Sequence, residues 1–347
     1  MAFGTCERLA YGRVSQQPLL QVEDLRTYVF TRRGVVKAVD GVSFSLAPGE
    51  TLGIVGESGS GKTMTSLSLL RLVPPGGKIV GGKMLFDGVD LLQLSESAMR
   101  EYRGSQISMI LQDPMASLNP VYTVGEQVAE PVRQHQHLSG KALWDQVTEA
   151  LRLLRIPSPR ERLQNYPHQM SGGMRQRVVG GIAVSCLPKL IIADEPTTAL
   201  DATIQAQYLA HLKDLQRQTN VAMIFVSHDF GIVGRMCDRV AVMYAGKIVE
   251  TAGVRELFDN PQHPYTIGLV NSVPRLDRKV ERLASIEGQP PALLNLPPGC
   301  RFAPRCYAAF DRCRQEEPPE VSMVDSSGNA HLASCWKVAQ AVEGVGV

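Results

Sequence analysis

TLGIVGESGSGKT at residues 51–63 decides the fold. Its first five residues form a continuous apolar run, the pattern of a strand buried on both faces, and the helix-like TSLSLLRLV that begins at Thr65 is stopped by PPGG. Between them Gly56, Glu57, Ser58, Gly59, Ser60, Gly61, Lys62 and Thr63 match GxxxxGK[ST], in the strand-to-helix setting that this phosphate-binding loop requires. Glycines let successive N–H groups turn inward toward phosphate oxygens, and the helix that starts there adds its positive dipole end. Lys62 is placed to reach the outer phosphates and the Thr63 hydroxyl to bind Mg²⁺, with Met64 the next nucleotide-contacting position. The alternative, a plain Gly-rich turn, is disfavoured by the flanking strand and helix.

Working outward, LIIADE at 190–195 is a second buried strand, and it ends in two acids. In an open α/β sheet a carboxylate at the C-terminal edge of a strand sits where ligands bind, so Asp194 is placed for Mg²⁺ and Glu195 for polarising an attacking water. An amphipathic helix at IQAQYLAHLKDLQRQ follows, with Ile204, Tyr208, Leu209, Leu212 and Leu215 on its apolar side, and then AMIFVSHD as another buried strand. This order predicts a parallel sheet covered on both faces. Residues 19 to 55, alternating apolar and polar positions before the run TLGIV, predict surface strands followed by a buried one, residues 96 to 187 carry longer helical patterns, and a Pro-rich texture begins near residue 261.

The chain has 347 residues, enough for about two domains, and its formal charge of +2 argues against a nucleic-acid binder working through excess positive charge. No apolar run approaches the roughly 20 residues that cross a bilayer, and the first eighteen residues carry no secretion-signal pattern, so a cytoplasmic location is expected. Seven cysteines in that compartment do not make a disulfide framework. Cys186 and Cys237 fall in apolar surroundings and read as buried small hydrophobes, and Cys6 stands alone.

Together with these motifs, SGGMRQR at 171–177 resembles the signature of the ATP-binding cassette (ABC) ATPases. Gln112 in ILQDP is similar to their Q-loop, Ala199, Leu200 and Asp201 to their D-loop, and His228 in FVSHD to their switch histidine. The resemblance implies an α/β fold: a P-loop ABC ATPase domain with a RecA-like parallel-sheet core, an antiparallel β subdomain and an α-helical subdomain at about 96–187. It implies ATP and Mg²⁺ as substrate and metal. It gives Glu195, His228, Lys62 and Gln112 catalytic roles, Gln112 also binding Mg²⁺ with Thr63 and Asp194. Ser171, Gly172, Gly173, Met174 and Asp201 would meet the ATP held by an opposing cassette. Met174 stands where the usual signature has Gln, as is familiar in the peptide-importer branch. The adenine-stacking aromatic of the family aligns with Val29, so the flanking Tyr28 and Phe30 are the two candidate rings.

HPYT at 263–266, PPALLNLPPGCRFAPRC and CRQEEPP resemble the C-terminal extension of dipeptide, oligopeptide and nickel importer ATPases. This divides the chain into a tail at 1–18, a nucleotide-binding domain at 19–260 and an irregular extension at 261–347. Cys300, Cys306, Cys313 and Cys335 fit neither common zinc-ribbon nor ferredoxin spacing, yet four thiols in a short segment suit a soft metal. Some family members carry a [4Fe-4S] cluster at the corresponding cysteines, which makes that cluster the expectation, with structural Zn²⁺ and unligated thiols or disulfides as alternatives. The implied function is ATP-driven uptake of di- or oligopeptides. The implied partners are a second ABC ATPase subunit in a heterodimer, two transmembrane permeases and an extracytoplasmic solute-binding protein, at the cytoplasmic face of the inner membrane. The alternatives are a nickel or other small-solute importer and, from another class, a soluble non-transport ABC ATPase. No nucleic acid is implied.

Overall fold

A computed structural model describes residues 17–198, 200–273, 285–325, 328–342 and 344. Most of the tail at 1–18 with Cys6, and Ala199 of the D-loop, lie outside the described residues. In chain order the strands are β1 (Leu20–Thr31), β2 (Gly34–Leu46), β3 (Thr51–Val55), β4 (Gly77–Phe86), β5 (Val89–Asp90), β6 (Ile107–Ile110), β7 (Leu190–Asp194), β8 (Ala222–Ser227), β9 (Arg239–Tyr244), β10 (Lys247–Gly253), β11 (Glu320–Val324) and β12 (Ala330–Ser334). They form an antiparallel sheet ordered β2-β1-β4-β5 and a larger sheet ordered β11-β12-β10-β9-β3-β8-β7-β6. The run from β9 to β6 is parallel, as the buried apolar stretches predict.

Each central strand feeds two cores because its side chains alternate between faces. Leu190 and Ile192 of β7, with Ala222, Ile224 and Val226 of β8, meet the antiparallel sheet through Leu20, Val22, Leu25 and Phe86. Ile191, Ala193, Met223 and Phe225 point the other way, toward Tyr208, Leu212 and Leu215 of the helix Ala202–Thr219. Burial on both faces is why these strands read as unbroken apolar runs rather than as alternation.

The helices Val124–Gln136, Gly140–Leu153 and Gly172–Val184 pack on one another, burying Val128, Val132, Val147, Leu151 and Val178. The stretch 96–187 is not helical throughout. Ile107–Ile110 forms β6, the edge of the large sheet, in parallel register with β7 from Ile107↔Leu190 to Ile110↔Ala193. Four residues are too few to establish a period against the helical patterns around them.

The C-terminal extension also contributes to the sheet. β11 and β12 make a hairpin, and β12 pairs with β10 through Glu250↔Ala333 and Thr251↔Leu332. Glu250 is buried at this seam, and its carboxylate accepts from the Gln262 and His263 N–H groups at 2.7 and 2.9 Å and faces His331 Nε2 at 2.7 Å. A buried carboxylate is tolerable when its lone pairs are occupied in this way. Burial lowers the affinity of His331 for a proton, the hydrogen bond to Glu250 raises it, and the net direction is upward.

Candidate active site

β3 runs directly into the phosphate loop, and the helix Lys62–Leu69 begins at the loop's last glycine. Gly61 has φ 107°, and a Cβ there would stand 2.3 Å from the Ala38 carbonyl oxygen; at Gly56 it would stand 2.1 Å from that of Met243. Only glycine lets the loop lie this close to β2 and β9. The Lys62 ammonium donates to the carbonyls of Gly56 and Glu57 at 2.8 and 2.9 Å. Burial pushes its proton affinity down, against the pull of Glu195, Asp194 and Glu57.

Lys62 lines a cleft of roughly 790 Å³ together with Ser58, Gly59, Gly61, Thr63 and Met64 of the loop and helix, and with Gln112, Glu195, Thr198 and His228 across from them. Asp194 lies beneath, only 4% exposed. Burial raises its proton affinity, while a hydrogen bond from Thr63 and the charge of Lys62 act in the other direction. Its Oδ1 has no hydrogen-bond partner among the described residues. A buried, unpartnered carboxylate oxygen beside the Thr63 hydroxyl is a donor set suited to a hard cation.

Glu195 takes up a left-handed backbone conformation, with φ 45°, while its N–H donates to the Val226 carbonyl at 3.0 Å. Its Oε2 accepts from Gln112 Nε2 at 3.0 Å and from Thr198 Oγ1 at 3.1 Å, and its Oε1 lies 3.1 Å from His228 Nδ1. A carboxylate offers about four acceptor positions, so one remains for a water. A strained backbone held by three side chains fixes this carboxylate at the cleft.

The signature residues stand elsewhere. Ser171 caps the helix Gly172–Val184, its hydroxyl accepting from the Met174 N–H at 3.4 Å; Ser171 and Gly172 are exposed, and none of Ser171, Gly172, Gly173 and Met174 lines the cleft. Asp201 likewise caps the helix Ala202–Thr219 by accepting from the Thr203 and Ile204 N–H groups. Neither candidate ring lines the cleft. The Tyr28 hydroxyl donates to Asp40 Oδ1 at 2.6 Å, Phe30 is 47% exposed with Lys78 over its ring, and Val29 and its cross-strand partner Val36 line the cleft instead.

Residues 39–198 match the model of the ABC transporter family, and residues 249–313 match the oligopeptide/dipeptide transporter C-terminal region. The dipeptide transport ATP-binding protein DppD of Bacillus subtilis is 49% identical over 94% of this chain and 97% of its own length. The chain belongs to the ATP-binding proteins of peptide-type ABC transporters. It is an ATPase coupled to transport, with ATP as substrate and Mg²⁺ as metal. The oligopeptide transport ATP-binding protein OppD of Escherichia coli is 49% identical over 87% of this chain and 89% of its own. Among solved structures, cbiO1 of Clostridium perfringens, part of the ABC transporter complex cbiONQ, is similar with a TM-score of 0.62 and 25% identity over 71% of this ATPase and 92% of that chain.

The expectation of a metal at the four C-terminal cysteines is corrected. Among the described residues, no group of three or more His, Cys, Asp or Glu side chains is arranged to hold a metal ion. Cys300, Cys306, Cys313 and Cys335 do border one small cavity with Phe302 and Trp336. Burial pushes the Cys300 thiol up to about 11 and raises those of Cys306 and Cys335, which leaves them neutral and behaving as small apolar side chains. With no such metal-holding group among the described residues, neither the [4Fe-4S] nor the Zn²⁺ reading is supported. Cys186 and Cys237 are buried, as expected of them.

Four residues that sequence reasoning missed also act at this site. Thr198 holds Glu195. Tyr265, from the HPYT segment, accepts the Glu57 N–H at its hydroxyl at 2.9 Å. Arg305 meets the Glu57 carboxylate with two bonds, at 2.6 and 3.0 Å, and Leu293 lines the cleft itself. Thr198, three residues after Glu195, had a local signal in its hydroxyl. The other three lie more than 200 residues from the phosphate loop, in the stretches that carry the resemblance of the extension, and nothing local ties them to the cleft.

Proposed function

We propose that this ATPase powers import of di- or oligopeptides as one of two different cassettes. In this reading they sit on the cytoplasmic face of the inner membrane beneath two permeases, which receive peptide from an extracytoplasmic solute-binding protein. Residues 19–260 then form the nucleotide-binding domain, with its helical part within about 96–187 apart from β6, and 261–347 an extension that buttresses it. The observation that carries this reading is the division of the catalytic set. Lys62, Thr63, Gln112, Glu195 and His228 line one cleft, while Ser171 and Gly172 are exposed outside it. A helix start with an exposed serine and glycine is an anion site facing outward, so a second cassette supplies the missing lip of each cleft. DppD and OppD, at 49% identity, support the peptide cargo.

Within the cleft, Lys62 and the loop N–H groups hold the outer phosphates of ATP and oppose the charge that grows as the γ-phosphate leaves. Thr63, Asp194 and Gln112 are the residues to hold Mg²⁺, which neutralises phosphate charge when bound. Glu195 uses its remaining acceptor position to orient a water in line with the γ-phosphate and takes its proton. His228, hydrogen-bonded to Glu195, is placed to donate toward the transferred group, and Gln112 and Thr198 keep the carboxylate aimed.

Glu195→Gln preserves the size and the acceptor oxygen but removes the base. Hydrolysis should fall a hundredfold or more with ATP affinity retained. Normal turnover by that variant would exclude Glu195 as the base. For cargo, the complex reconstituted with permeases and binding protein in vesicles should hydrolyse ATP faster when di- or oligopeptide is supplied; stimulation by nickel alone would replace the peptide reading.

A further inference from the structure

We propose that Leu293, in the C-terminal extension, is a nucleotide-binding residue that closes the base end of the ATP cleft. This deepens the reading of the cleft as the ATP site and rests on it. Phosphates belong at Lys62 and the loop N–H groups, so the flat base is left the apolar part of the lining. Val29, Val36, Ala38 and Leu293 make that lining. The first three come from β1 and β2, where Val29 and Val36 face each other across the ladder. Leu293 is brought beside them by the Lys37 N–H, which donates to the Leu293 carbonyl at 3.2 Å.

Its neighbours fix the segment on either side. The Leu294 side chain packs so closely on Gly34, at the β1–β2 turn, that a Cβ there would approach it to 2.9 Å. Upstream, the carbonyls of Ile286 and Glu287 accept from Arg305, the same side chain that grips Glu57 of the phosphate loop. Residues 286–294 therefore run from the Arg305 side chain at the phosphate loop to the β1–β2 turn, and Leu293 is the member of this stretch that lines the cleft. The ring that the resemblance leads one to expect near Val29 does not line the cleft, and aliphatic side chains from two separate parts of the chain do. They recognise the face of a base by apolar contact.

Coupling is the consequence. A base that touches Leu293 stabilises the docked extension, and by reciprocity the docked extension stabilises bound nucleotide. The test uses the full chain and two ligands, ATP and inorganic tripolyphosphate, which presents phosphates without a base. Leu293→Ala removes roughly 40 Å² of apolar contact and should weaken ATP binding about fivefold while leaving tripolyphosphate affinity unchanged. Leu293→Met, similar in volume, should restore ATP affinity to within about twofold. In the unmodified chain, ATP should slow hydrogen exchange of the Lys37 amide and tripolyphosphate should not.

Equal ATP affinity in Leu293→Ala, or equal weakening of both ligands, would overturn the proposal. So would identical protection of Lys37 by the two ligands. If the unmodified chain bound tripolyphosphate and ATP equally, the base slot would not exist although the phosphate site stood. If it bound neither, the cleft itself would be misread.

Discussion

Arg305→Met should loosen the phosphate loop from a distance of 248 residues in sequence. The Arg305 side chain is 4% exposed and that of Glu57 is 29% exposed, and the two bonds between them, at 2.6 and 3.0 Å, are of the charge-assisted, two-pronged kind. Arg305 also donates to the Glu287 carbonyl at 2.9 Å, and its guanidinium lies 5.8 Å from the centre of the Tyr244 ring. Methionine keeps the length of the stem and removes every one of these donors. Breaking a buried ion pair costs about 3–5 kcal/mol, and the partial exposure of Glu57, which lets water reach its carboxylate, puts the expected loss at the lower end, about 3 kcal/mol. Because the Glu57 carbonyl also holds the Lys62 ammonium, ATP affinity should fall as well. Urea melts of the unmodified chain, Arg305→Met, Glu57→Gln and the double variant would give the coupling between the two side chains. It should exceed about 1.5 kcal/mol. Additivity within about 0.5 kcal/mol would show that the pair contributes nothing, and the account of the extension as a support for the loop would fail.

Three further perturbations separate causes that the structure combines. His263 Nδ1 accepts the Tyr265 N–H at 3.0 Å and burial lowers its pKa to about 4, so only the neutral ring fits; stability should be full above pH 6.5 and fall as the pH drops toward 4. His263→Asn, which can cap the same helix without titrating, should flatten that part of the stability profile, and an unchanged acid slope would refute the assignment. Asp194→Asn should raise the melting temperature of metal-free protein at pH 7, because a carboxyl whose proton affinity is raised by burial destabilises the folded state when ionised; the gain should shrink as the pH falls, and Mg²⁺ should stabilise the variant less than the unmodified chain. Gly61→Ala puts a Cβ against the Ala38 carbonyl and should weaken ATP binding at least tenfold, measurable by calorimetry.

Sequence alone determined the elements whose signals are local. The phosphate loop announces itself because a tight glycine turn between strand and helix, followed by lysine and threonine, is a local requirement of phosphate binding, and the structure sets it between β3 and the helix Lys62–Leu69. Continuous apolar runs at 190–194 and 222–227 gave two central strands, because burial on both faces erases alternation. The short strand β6 was not legible, since four residues carry no period. The cysteine spacing suggested a metal site, but only the fold shows that the four border one small cavity while no group among the described residues is arranged to hold a metal ion.

Tertiary structure alone decided how the C-terminal extension meets the ATP cleft. Tyr265, Leu293 and Arg305 reach the phosphate loop and the base end because β12 adds to β10 and the intervening chain is drawn back across β2. Contacts between residues more than 200 positions apart depend on the order in which strands join a sheet. That order is set by which surfaces bury one another, and no short stretch of sequence records it.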